Sequence, residues 1–320
     1  MMIKSTVRTI LTLTLGLLPL AWADAQSPGG APGYQLMRDV QYGTANGIPL
    51  VMNITIPEPR PSKPVPAMVF LHGGGWVGGS REDMINRCFL VSQNGYVGAT
   101  VEYRLGIPFP GHLHDCKAAV RFLRANAQKY GIDPDRIGGW GCSAGGHLAA
   151  MLGLTEGIAE FEGDSGTPGV SSGVQMVVDC FGPSDFDTWQ ETVNTFAGDD
   201  RARRLFAPPP PDDKMVQWWK NFGLNADPPL VAFFDGKSAE RAKWASPITY
   251  ANRKENVPPF LFVHGTLDTW VPLQQSILLA NALEANGSDV TFLLKANMGH
   301  DESKAWPEIL EYLKKKWPLL

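Results

Sequence analysis

The chain has 320 residues, of which 44% are hydrophobic and 19% charged. That is enough apolar content to fill one large α/β core, and too much for a disordered polypeptide. A formal net charge of −4 without any long basic cluster argues against nucleic acid as a partner.

Residues 1–23 read as an export signal. Lys4 and Arg8 supply a basic start, and Ile10 to Ala21 an apolar run. Ala21-Trp22-Ala23 and Ala23-Asp24-Ala25 follow as small-x-small cleavage sites. The run is too short to span a bilayer comfortably, so export to the periplasm or the outside is expected rather than a stable membrane anchor.

After a Gly/Pro-rich stretch (Gln26 to Gly33), Tyr34 to Tyr42 and Leu50 to Ile56 read as strands, with Asn46-Gly47 as a hairpin signal between them. Ala67 to Leu71 is uninterruptedly apolar, as in a strand buried on both faces. Ser80 is placed to cap a helix running to about Gln93, and Val97 to Tyr103 follows as a strand. His114 or Asp115 is expected to open a helix reaching Tyr130, striped by Ala118, Val120, Leu123 and Ala127. Arg136 to Trp140 reads as a strand and Gly146 to Leu154 as a helix. Val174 to Phe181 and Pro259 to Val263 read as further strands, Val271 to Asn286 as a helix, Val290 to Leu294 as a strand, and Ser303 to Trp317 as a last helix. Such alternation predicts a mostly parallel sheet covered on both faces, with an antiparallel start. The stretch 186–245 breaks the rhythm. Its tetraproline (Pro208 to Pro211) and its aromatics Trp189, Trp218, Trp219, Phe222, Phe233, Phe234 and Trp244 suggest a packed cap rather than a disordered excursion.

Between the strand at Arg136–Trp140 and its helix lies Gly141-Cys142-Ser143-Ala144-Gly145. A serine in a sharp strand-to-helix turn is exposed as a nucleophile, and the helix N-terminus behind it favours developing negative charge. His72-Gly73-Gly74-Gly75-Trp76 directly follows the Ala67–Leu71 strand. Backbone amides of Gly74 and Gly75, with that of Ala144, are candidates to meet an oxyanion; a merely flexible glycine turn is the alternative, disfavoured by the position after a buried strand. Trp76 is a candidate for contact with an acyl group.

A base and an acid are then needed. His300 lies in a loop downstream of both serine and candidate acids, matching the chain order Ser…Asp…His. Two acids compete, Asp268 and Asp185, each just past a strand. Asp268 is preferred because its loop neighbours that of His300. His112 and His114 have the spacing of a metal pair but lack a third ligand, so a helix-start role is expected. Cys88, Cys116, Cys142 and Cys180 fit no metal motif, and no disulfide is expected.

These motifs, with Tyr103-Arg104-Leu105, Phe109-Pro110, Asp115, Ser246-Pro247-Ile248 and His264 to Asp268, make the chain resemble α/β-hydrolases of the hormone-sensitive-lipase-like group. Within that group it is most similar to secreted bacterial feruloyl and acetyl xylan esterases. The resemblance covers residues 34–320. It implies the α/β-hydrolase fold, an eight-stranded, mostly parallel sheet with a cap inserted after strand 6 over 186–245. It also implies Ser143 as nucleophile, His300 as base, Asp268 as its orienter, and Gly74 and Gly75 as oxyanion donors, with no metal or organic cofactor. The implied partner is a small-molecule or polysaccharide-linked ester. The acyl group, feruloyl, acetyl or another small acid, stays open, because Thr188 to Trp244 matches no pattern of the group. An amidase or peptidase of the same fold, and a binding protein without catalysis, are the alternatives.

Overall fold

The computed structural model describes residues 33–188, 239–253 and 255–319. The expected export segment (1–23) and most of the expected cap (189–238) therefore lie outside the described residues.

Strands β1 (Gly33–Ala45) and β2 (Ile48–Glu58) form an antiparallel hairpin. Asn46 and Gly47 both take positive φ, 51° and 76°, the backbone of a two-residue turn that suits the twist of paired strands. The other strands are β3 (Val65–Leu71), β4 (Val97–Val101), β5 (Ile132–Cys142), β6 (Val177–Cys180), β7 (Phe260–Gly265) and β8 (Val290–Lys295). They join one eight-stranded sheet in the order β1-β2-β4-β3-β5-β6-β7-β8. β2 pairs antiparallel with β4, and every pairing from β4 through β8 is parallel. This is the order and polarity of the α/β-hydrolase fold.

All seven residues of β3 are buried, and their alternation divides them between two cores. Val69 and Leu71 pack on one face, with Leu113 and Val120 of α2 (Gly111–Ala125), Leu148 and Leu152 of α4 (Ala144–Leu154), and Leu279 and Leu283 of α7 (Leu273–Ala285). Met68 and Phe70 face the other way, onto Val91 of α1 (Ile85–Gln93) and Ile309 and Leu313 of α8 (Trp306–Lys316). Short helices α3 (Ala127–Tyr130), α5 (Ala159–Glu162) and α6 (Ala239–Ala245) complete the described α-helices, and 3-10 turns lie at Arg81–Met84, Pro247–Tyr250 and Ser303–Ala305.

Several boundaries depart from the sequence reading, two of them for reasons that bear on the site. Helix α2 opens at Gly111, a turn before His114, with the Pro110 carbonyl accepting the His114 amide at 2.9 Å. Asp115 does not cap it, because its carboxylate is bound to Arg104: Nε and Nη2 donate at 2.8 Å each and the backbone amide at 3.0 Å. Strand β6 is only Val177–Cys180; Val174 and Met176 are apolar because they are buried, although they precede the ladder.

Candidate active site

β5 ends at Cys142 and α4 begins at Ala144, leaving Ser143 alone to reverse the chain. It does so at φ 58° and ψ −121°, a conformation that costs a non-glycine residue about 1–3 kcal/mol and persists only where its surroundings enforce it. They do so here on both sides. The Ser143 amide donates to the Cys180 carbonyl at 2.9 Å, and the His147 amide to the Ser143 carbonyl at 3.0 Å. The flanking glycines are required by space. A Cβ on Gly141 would lie 1.9 Å from the Gly145 carbonyl oxygen, and one on Gly145 2.0 Å from that of Leu71.

The glycine turn after β3 abuts this elbow. A Cβ on Gly73 would stand 3.3 Å from the Ser143 Cβ. Gly74 has φ 111° and no room for a side chain, since a Cβ would meet the Gly78 carbonyl oxygen at 2.2 Å. The turn is braced by Tyr103, whose hydroxyl donates to the His72 carbonyl at 2.8 Å while its ring stacks on the His72 imidazole at 4.1 Å. Among the described residues the amides of Gly74 and Gly75 donate to no backbone carbonyl. Ala144 is the first helical residue of α4, whose amide has no intrahelical acceptor. Three donors are thus left over beside the serine.

Asp268 and His300 come together. The Nδ1–H of His300 donates to Oδ2 of Asp268 at 2.7 Å, which leaves Nε2 as the acceptor of the ring. Oδ1 of Asp268 accepts the amides of Trp270 and Val271 at 2.8 and 3.0 Å. Buried His264 adds support, its Nε2 lying 3.0 Å from the Val271 carbonyl and 3.4 Å from Oδ2 of Asp268. Burial alone would raise the Asp268 pKa. Attraction to His300 and hydrogen bonds from His264 and His300 outweigh it and hold the carboxyl well below the usual range.

His300 makes no hydrogen bond to Ser143 among the described contacts; the two are linked through the end of β6. Phe181 follows Cys180, the acceptor of the Ser143 amide, and its ring centroid stands 4.3 Å from that of His300. Strand register sets this closeness. Cys142 pairs with Cys180, and Cys180 with Val263, so serine and acid both follow the carboxyl ends of neighbouring parallel strands.

The competing acid is used elsewhere. Asp185 accepts the amides of Asp187 and Thr188 and the Thr188 hydroxyl at 2.7 Å, closing its own turn. His112 and His114 lie against the carbonyls of Trp76 (3.3 Å) and Glu160 (2.9 Å). Among the described residues no group of three or more His, Cys, Asp or Glu is arranged to hold a metal. Trp76 is only 4% exposed, edge-on to His147 and Phe186 with ring centroids at 5.2 and 5.8 Å. All four cysteines are buried and unbridged.

Two features escaped the sequence reading. Asp179 on β6 is buried beneath the elbow helix. Its Oδ1 accepts the Gly182 amide at 2.8 Å and lies 2.5 Å from where a Cβ on Gly146 would sit. Burial pushes its carboxyl up to about 6, against the Gly182 hydrogen bond and the nearby His264. The second is the aromatic surround of His300, where Trp270 joins Phe181. The spacing of Trp270, two residues beyond Asp268, is the signal that would have placed its amide on that carboxylate.

The chain is similar in sequence and in fold to known esterases. The BD-FAE family profile matches residues 52–283. Esterase LipC of Mycobacterium tuberculosis is 30% identical over 248 residues, covering 75% of this chain and 54% of LipC. The chain spans about half the length of the curated relatives it matches. A truncated carbohydrate esterase from gut microbiota superposes with a TM-score of 0.71 at 23% identity, covering 91% of this chain and 99% of that one. A bifunctional GH43-CE protein of Bacteroides eggerthii gives a TM-score of 0.67 at 25% identity, over 88% of this chain and 38% of the other.

Proposed function

The chain belongs to the BD-FAE family, and on that premise we propose that it is a serine-dependent carboxylic-ester hydrolase. One observation carries the reading: the buried Asp268 carboxylate fixes Nδ1 of His300 at 2.7 Å, at the carboxyl ends of the strands where the strained Ser143 elbow projects. In the proposed reaction Nε2 of His300 takes the Ser143 hydroxyl proton as Oγ attacks the ester carbonyl. The tetrahedral oxyanion is met by the amides of Gly74, Gly75 and Ala144. Collapse breaks the bond to the alcohol, which leaves with the proton from His300. Water then repeats the sequence on the acyl-enzyme and releases the acid.

For the acyl group we propose acetyl or a similarly small acid. Trp76 and Phe186 are each 4% exposed and pack around His147 together with Phe109, so these rings support one another. Trp76 then acts from behind the acyl site, as packing. A feruloyl ester is the second reading, favoured by the concentration of aromatic side chains in residues 186–245.

A panel of acetyl, butyryl and feruloyl esters, with matching amides, tests this on the full chain and on Ser143→Ala. Acetyl esters should turn over fastest, and the serine variant should be inactive while folded. Faster turnover of feruloyl esters would replace the acyl assignment, faster turnover of amides would replace the reaction, and equal rates in the two proteins would remove Ser143 from it.

A further inference from the structure

His300 is held by more than its carboxylate. Trp270 touches both members of the acid–base pair. Its amide donates to Oδ1 of Asp268 at 2.8 Å, and its ring lies nearly parallel to the His300 imidazole, 25° between planes and 5.9 Å between centroids. The backbone that presents it is pinned on both sides. Asp268 also takes the Val271 amide, and the Val271 carbonyl faces Nε2 of the buried His264 at 3.0 Å. His264 is in turn fixed by Ser276 of α7, 2.8 Å from its Nδ1. Trp270 is half-buried, unlike Phe181, the other ring against His300, which is a core residue.

We propose that Trp270 is a positioning residue for the base. Its ring backs the imidazole in the orientation set by Asp268, shields the Asp268–His300 hydrogen bond from water, and offers a π face to the imidazolium formed when His300 takes the serine proton. This inference rests on the reading of His300 as the base. A flat aromatic face attracts a cation that comes against it, and does so more strongly when water is excluded. The charge exists only after proton transfer, so the contact favours the transition state over bound substrate and acts on kcat rather than KM.

The test compares the full chain with Trp270→Leu and Trp270→Phe. It measures steady-state kinetics on p-nitrophenyl acetate, melting temperature, and the low-field proton NMR signal of the His300 Nδ1–H. Trp270→Leu should lower kcat roughly tenfold, equivalent to about 1.4 kcal/mol of transition-state stabilisation, with KM unchanged. Its low-field proton should broaden into exchange with water, and Trp270→Phe should restore most of both. A leucine variant that keeps wild-type kcat and the sharp proton overturns the proposal. So does a variant that raises KM while leaving the proton intact, since Trp270 would then be a pocket wall only. If the wild-type chain hydrolyses no ester, the functional reading fails, and the proton signal in the three proteins still decides whether Trp270 orders the pair.

Discussion

The carboxylate of Asp268 serves two masters, His300 through Oδ2 at 2.7 Å and the backbone of its own loop through Oδ1, where the amides of Trp270 and Val271 donate at 2.8 and 3.0 Å. An amide side chain in its place keeps one acceptor but presents an N–H to the imidazole, which drives the ring toward the wrong tautomer. Asp268→Asn should therefore lower kcat by roughly a thousandfold to ten-thousandfold with the fold intact. Asp185→Asn should change kcat little, because that carboxylate closes a turn with Thr188. A larger loss at Asp185 would reverse the assignment.

The elbow glycines are expected to fail structurally before they fail chemically. Gly145→Ala places a methyl 2.0 Å from the Leu71 carbonyl oxygen, deep between β3 and α4, where no flexible side chain can move aside. A loss of at least about 4 kcal/mol is expected, read as a lower melting temperature or as insoluble expression. Near wild-type melting would show that the elbow relaxes more easily than its geometry implies.

Buried Asp179 gives stability a distinctive pH dependence. A rise from 3.8 to about 6 means that the folded chain holds this proton more tightly than the unfolded one. The residue therefore costs nothing below pH 3.8, and up to about 3 kcal/mol once pH has passed about 6. Asp268 works in the opposite sense. Its lowered pKa contributes stability above the ordinary carboxylate range, lost as pH falls through and below it. Asp179→Asn, which keeps an acceptor for the Gly182 amide, should melt about 6 °C higher than wild type at pH 7.5. That gap should close by pH 4. A gap that does not change with pH would mean that the carboxyl ionises without penalty.

Activity should fall as pH is lowered from neutral, since the base must be neutral to accept the serine proton. Other histidines near the elbow do not confuse that limb. Burial pushes His147 down to about 4 and His112 to about 3, and lowers His72 as well. A kcat/KM profile on an acetyl ester, run on wild type and on Asp179→Asn because burial pushes the Asp179 carboxyl beneath the elbow up to about 6, reads it, and a profile with no acid limb would remove His300 from the role of base.

Much of this arrangement was legible in the sequence because it depends on backbone. Gly141 and Gly145, the glycines after His72, and Asn46-Gly47 stand where only particular residues fit, and such positions leave marks in a single chain. The apolar runs at Ala67–Leu71 and Pro259–Val263 announced strands, and β3 and β7 are buried throughout. The choice of Asp268 over Asp185 turned on which loops adjoin, and it is Asp268 whose carboxylate lies 2.7 Å from His300. Contacts made across the fold were not legible. The partner of Asp115 is Arg104, so that a residue read as a helix start is half of an ion pair. Asp179 looks like any polar residue in an apolar stretch until its neighbours Gly146 and Gly182 close over it. The rings of Phe181 and Trp270 meet His300 from separate loops, and no spacing within either loop reveals the meeting.

Ser143 occupies a left-handed backbone well that it would leave if its neighbours let go, and those neighbours are the close-packed ends of β5 and β6 and the first turn of α4. The tension at Ser143 is therefore held by the sheet itself, so on warming hydrolysis should be lost together with the far-UV circular dichroism of the chain and not ahead of it.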